Sequence, residues 1–219
     1  MTSSGEISRR RFLTTAATIT GAAAATTIVP VGAAQAAPRR RSSNGWPILA
    51  HADWHAVEGS DQQVQLADGA PAVLLTYVAR RFHYEIDQLR AGDLHGYARS
   101  AAAGAGADYE SNYLSGTAVA IRPHAYPLGV RGGLYPRELI VVRDILAELG
   151  GAVAWGGDFH QPKESHFEIA YRPGHPKIDG TARRISGLAE RPADAGAGAC
   201  DAFAPARRAK AKAFARAMR

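Results

Sequence analysis

The side chains able to do chemistry concentrate in two stretches. Residues 111–120 read SNYLSGTAVA, and residues 155–168 read WGGDFHQPKESHFE. Histidine beside carboxylates suggests metal-assisted hydrolysis. Such a site holds zinc by three protein side chains, leaves a fourth position for water, and places a base beside that water. His160 and His166 are the imidazoles of these two stretches. Lys163 is an ammonium and cannot take a proton from water. Glu164 is its neighbour, but successive strand residues face opposite ways. His95, His124, Asp158 and His160 could complete a rearranged ligand set. Against that, His124 and His160 fall in polar loops, and Asp158 suits the cap of a turn. His166 reads equally as a hydrogen-bonded core histidine.

Set against known motifs, 111–120 resembles S-x-H-x-x-G-x-A-x-D, and 155–168 resembles W-G-G-D followed by D-x-x-H-F-E. These are the two zinc-site blocks of the D-alanyl-D-alanine carboxypeptidase-like zinc peptidases. Ile121-Arg122-Pro123, Tyr126-Pro127-Leu128-Gly129 and a helix from Pro136 to Leu149 match between the blocks. Leu89-Arg90-Ala91-Gly92 and Gly96-Tyr97 match upstream, so the resemblance spans roughly residues 66–175. It implies an α+β fold of the Hedgehog/DD-peptidase type, a mostly antiparallel sheet with packed helices and an open cleft.

Residue by residue, the resemblance puts Tyr113, Ala120 and His166 at the ligand positions and Lys163 at the base. A phenol with a pKa of about 10 is a poor zinc ligand at neutral pH, and alanine is none. A buried carboxylate without its metal is costly, so Ala and Tyr at these positions are mutually consistent. The carbonyl-polarising arginine falls near Arg99 or Ser100. Ser111, Tyr113, Gly116, Ala118, Trp155, Gly156, Gly157, Asp158, Phe167 and Glu168 would shape the cleft. The implied protein is a catalytically inactive relative with no cofactor, one that binds peptidoglycan stem peptides or another wall component. The alternative is an active zinc carboxypeptidase with a rearranged metal site. A third reading uses the old cleft for a protein partner.

An exported protein fits the N-terminus. Ser8-Arg9-Arg10-Arg11-Phe12-Leu13 matches the twin-arginine pattern, and an Ala/Thr-rich run leads to an Ala34-Gln35-Ala36 cleavage site. That run is too rich in threonine and alanine for a stable membrane span. The expected layout is a signal over 1–36, an arm over 37–65, the peptidase-like domain over 66–190 and a basic tail over 191–219. The net charge of +6 divides unevenly: residues 42–206 hold 14 of the 26 basic side chains and 19 of the 20 acidic ones, a net of −5. With no basic face on the body, nucleic acid is set aside. Basic ends on an exported protein suit anionic wall polymers or lipid headgroups. The single cysteine, Cys200, excludes an internal disulfide and a cysteine-based zinc site.

The elements that must position these residues follow from periodicity and punctuation. Asp68 reads as the N-cap of a helix reaching Phe82, and Phe82–Leu89 alternates like a strand. Leu94–Ala98 and Thr117–Arg122 read as strands, the latter ended by Pro123. Pro136 opens a helix that Gly150 stops. Strands over 152–155 and 166–171 and a closing helix over 178–188 complete an α+β pattern.

Overall fold

The computed structural model describes residues 41–99, 106–189 and 201–218. The export signal with Arg9 and Arg10, and also Ser100 and Cys200, lie outside the described residues. The architecture is α+β. A two-stranded hairpin joins β1 (Asp53–Ala56) and β2 (Gln63–Leu66), and a four-stranded antiparallel sheet has the order β3-β4-β6-β5. Its strands are β3 (Leu94–His95), β4 (Ala118–Ile121), β5 (Val153–Trp155) and β6 (His166–Ile169). Four helices accompany them: α1 (Ala70–Glu85), α2 (Pro136–Glu148), α3 (Pro176–Ala189) and α4 (Pro205–Ala217).

Alternation along the strands gives the sheet two unlike faces. Val119, Ile121, Val153, Trp155, Phe167 and Ile169 join the apolar core with Leu74, Leu75, Val78 and Phe82 of α1 and Val142 and Ile145 of α2. Ala118, Ala120, Ala154, His166 and Glu168 take the other face. Helix α2 begins and ends as the sequence predicts. Pro136 lies in its first turn, Glu138 reaches back to the Tyr135 amide at 2.7 Å, and Gly150 turns the chain out at φ 59°.

Helix α1 departs from expectation at both ends. Asp68 does not cap it; Gly69 does, at φ 78°, and the Asp68 carboxylate lies 3.1 Å from His55 Nε2. The strand expected over 82–89 is absent because the helix continues to Glu85, where an i,i+4 ion pair with Arg81 rewards helical geometry. His83 Nδ1 then accepts the Leu89 amide at 3.0 Å and fixes the exit turn. Within the expected arm, β2 straddles the boundary drawn at residue 66, and Val57, Val64 and Leu66 belong to the core. Residues ahead of the hairpin bond to the sheet region. Asn44 Nδ2 donates to Thr117 Oγ1 at 2.8 Å and to the Ile169 carbonyl at 3.0 Å, and Trp46 Nε1 to the Tyr171 carbonyl at 2.9 Å.

The largest correction is at the C-terminal end. The fold does not stop near residue 190: α4 packs on α2. Its anchor is electrostatic. Arg81 of α1, fully buried, donates to Asp144 at 2.9 Å and Glu148 at 2.6 Å of α2 and pairs with Glu85. Arg207 of α4 adds bonds to Asp144 at 2.9 and 2.6 Å and to Glu148 at 3.1 Å. Three carboxylates thus share two guanidiniums, and Tyr77 also donates to Glu148 at 2.7 Å. Burial, then the Glu148 carboxylate, hold the Tyr77 phenol well above its ordinary pKa. Among the described residues no helix is long and apolar enough to cross a membrane.

Removing the buried cation strands carboxylates that were taken out of water in its company. Arg81→Met is expected to cost about 3–5 kcal/mol. Arg207→Gln, at the edge of the cluster, should cost about 1–3 kcal/mol. Urea denaturation of the two variants beside the parent checks the order, and an Arg207 cost equal to the Arg81 cost would contradict it.

Candidate functional site

Strand β4 pairs with β6 so that Ala118 faces Glu168 and Ala120 faces His166. The two alanines leave a shallow floor, and the 3₁₀ helix over Asp108–Ser115 lays Tyr113 on it. Gly116 ends that helix at φ 64°, and any β-carbon there would stand 2.5 Å from the Ala67 amide nitrogen. The turn therefore requires glycine.

His166 has no exposed surface. Its Nε2 lies 2.7 Å from Glu168 Oε2, two residues along the same strand face, and its Nδ1 lies 2.7 Å from the Tyr113 hydroxyl. An ionised carboxylate only accepts, so Nε2 carries the proton and Nδ1 accepts from the phenol. Asn112 Nδ2 donates to the same Glu168 oxygen at 2.6 Å. The chain of bonds runs Tyr113 to His166 to Glu168, closed by Asn112. Burial pushes the His166 pKa below its ordinary value and outweighs the opposing pull of Glu168. Burial likewise pushes the Tyr113 phenol well above its own, helped by the Glu110 charge. Both groups stay neutral, and the carboxylate has two donors.

Aromatic rings roof this centre. Tyr109 lies 4.7 Å from the His166 ring and 4.8 Å from Phe159, centroid to centroid, and its hydroxyl donates to the Gln161 carbonyl at 2.9 Å. Lys163 donates to Glu110 at 2.6 Å and sits 5.0 Å from the Tyr113 ring centre. The Trp-Gly-Gly stretch has a steric reason. A β-carbon on Gly156 would stand 2.4 Å from the Lys163 carbonyl oxygen, and one on Gly157 would stand 2.3 Å from the Trp155 ring.

Of the residues expected to shape a cleft, Tyr113, His166 and Glu168 meet, with Lys163 alongside. Ala118 lies beneath Tyr113 and Gly156 adjoins His166, but Ser111, Trp155 and Asp158 do not join them. Ser111 is buried against the N-terminal arm, accepting the Ser43 amide at 2.9 Å. Trp155 points to the core face, and its indole donates to the Glu164 carbonyl at 2.7 Å. Asp158 pairs with Arg143 at the surface. The cleft itself is not open at Tyr113 and Trp155, which are only 6% and 3% exposed.

The rearranged ligand set fares no better. Glu164 accepts the amides of Gly132 and Gly133 at 2.8 Å each and of Leu134 at 3.2 Å. His95 and His124 meet each other at the surface, ring centres 6.0 Å apart, and His160 is exposed. Arg99 is held on the Ala50 carbonyl at 3.1 Å. The residues that the sequence left unmarked are Tyr109, Glu110, Asn112 and Phe159. All four adjoin or lie within the two motif stretches, but nothing in their local pattern says that they bond or stack on the centre.

The residues present do not fit a catalytic zinc. Both His166 nitrogens already have protein partners, Ala120 has no donor atom, and Tyr113 keeps its proton. A metal would have to break a buried bond for each ligand gained.

Two outcomes follow from the hydrogen-bond chain. Tyr113→Phe leaves Nδ1 buried without a donor and should lower stability by about 1–3 kcal/mol in urea melts. His166 protonates more readily unfolded than folded, so stability should fall as pH drops below about 6.5, with a slope of at most about 1.4 kcal/mol per pH unit. Thermal melts between pH 7.5 and 5 read this, and His166→Gln should flatten that component of the profile. No family model, no curated protein and no solved structure matches the chain.

Proposed function

We propose that the chain is an exported cell-envelope protein, carried by the twin-arginine route through Arg9 and Arg10. Its frame is of the D-alanyl-D-alanine carboxypeptidase, Hedgehog-like kind, and it binds peptidoglycan stem peptides or another wall component without hydrolysing them. The observation that carries this reading is the saturation of His166, the retained ligand position. Its two ring nitrogens serve Tyr113 and Glu168, each at 2.7 Å. At the position of the general base stands Lys163, paired with Glu110 at 2.6 Å. Neither residue can activate water in that arrangement. The half-buried Tyr109 and Phe159 form an aromatic rim over the filled centre, apolar enough to receive peptide side chains. Burial raises the Tyr109 pKa to about 12, so the rim is uncharged at ordinary pH.

Purified protein incubated with insoluble peptidoglycan should sediment with it, and soluble stem peptides should release it. Absence of retention defeats the reading. Zinc content after equilibration with excess metal and desalting separates the rival. Near-stoichiometric zinc that His166→Ala abolishes would instead indicate a carboxypeptidase with a rearranged metal site.

A further inference from the structure

Away from the His166 centre, helices α2 and α4 leave a groove of about 560 Å³ between them. Leu139, Ile140 and Arg143 line it from α2, and Arg208, Ala209 and Lys212 line it from α4. Both sets follow the pattern i, i+1, i+4, so each helix turns one strip of its surface to the groove. Among the described residues no acidic side chain belongs to the lining.

The groove holds apolar surface that the core does not use. Leu139 packs against the edge of the core, but Ile140, half-buried, joins no apolar cluster among the described residues. An occupant that covers it removes that area from water. The groove also holds charge that the fold does not answer. Arg143 is paired with Asp158, and its guanidinium lies 4.9 Å from the Trp155 ring centre. Arg208 and Lys212 are exposed, and the ion pairs of α4 are those of Arg207 with Asp144 and Glu148. Among the described residues no carboxylate meets Arg208 or Lys212, and no acidic residue occurs between Pro205 and Arg219.

Shape and charge together specify the occupant. A small-molecule site encloses most of its ligand, whereas Arg208, Ala209 and Lys212 leave this groove open along its α4 side. A bilayer surface is flat and does not fill a concave trough. A helix is a rod about 10 Å across that can lie in one, and the small side chain of Ala209 lets its backbone come close. We propose that an acidic amphipathic helix of a partner protein docks in this groove. Its apolar strip covers Leu139 and Ile140, and the carboxylates flanking that strip meet Arg208 and Lys212. The site is separate from the His166 centre and does not depend on what that centre binds.

The test uses the full chain and a fluorescein-labelled peptide of about 18 residues, long enough to be helical, read by anisotropy. Leucines form a single strip along the peptide, and glutamates flank it. Binding is expected. The same residues shuffled to break the strip should bind at least about tenfold more weakly, and so should a peptide with lysine in place of glutamate. The double variant Arg208→Glu with Lys212→Glu should lose the glutamate peptide and gain the lysine peptide, a reversal that damage to the fold would not produce. Ile140→Glu should weaken binding of the glutamate peptide about tenfold or more. No binding, equal binding of the shuffled peptide, or a double variant that keeps its preference overturns the proposal. So does a concentration-dependent dimer in sedimentation that Ile140→Glu dissolves, since the groove would then belong to a second copy of this chain.

Discussion

An imidazole taken wholly out of water must find a partner for each nitrogen, and the centre of this protein is arranged around that requirement. His166 sits on the middle of a short sheet, with a donor on one side and an acceptor on the other. The acceptor, Glu168, is a buried charge that needs more than one donor, and Asn112 supplies the second. The donor, Tyr113, is a large ring that fits only because Ala118 and Ala120 beneath it are small. Gly156 leaves room for the Lys163 carbonyl oxygen and the His166 side chain, which a β-carbon there would meet at 2.4 and 2.9 Å. Each residue type follows from the one before it.

The same constraint ties the N-terminal arm to the centre. Asn112 donates to Glu168 through its nitrogen while its carbonyl oxygen accepts from the Asn44 amide at 3.1 Å and the Ser43 hydroxyl at 3.2 Å. Disturbing the arm therefore disturbs the orientation of the amide that steadies the carboxylate. On the opposite side of the sheet a second buried charge cluster, around Arg81, sets how α1, α2 and α4 meet. Hydrophobic packing brings those helices together without direction. The guanidinium forks give the assembly its register, since five planar donors match the carboxylates in few arrangements. Helix α4, mostly alanine and basic residues, has little apolar surface of its own, with Phe214 the exception, so Arg207 decides where it lies.

Much of the fold is legible without a structure. Helix α2 is marked by Pro136, by an apolar stripe and by Gly150, all local signals. Strands β4, β5 and β6 are short apolar runs between turn residues, and they fall within a few residues of where the alternation puts them. The hairpin is not legible, because its strands are four residues long and joined by a polar loop. Neither is the end of α1, where the alternating pattern of 82–89 competes with an ion pair that only a helix can make. α4 is missed for a related reason: Asp144 and Glu148 lie about sixty residues away, and composition alone reads as a solvated tail.

For the site, the sequence by itself determined which chemistry these side chains can support. Tyr113 is a phenol with a pKa of about 10, Ala120 carries only a methyl group and Lys163 is an ammonium, so none of them serves as a zinc ligand or a base at neutral pH, and that follows from residue type alone. Tertiary structure alone decided what His166 does instead. Its partners are one residue two positions along the strand and another 53 positions away. Whether a nitrogen is saturated depends on what stands within three ångströms of it, and a chain fixes such neighbours only after its strands have chosen their register.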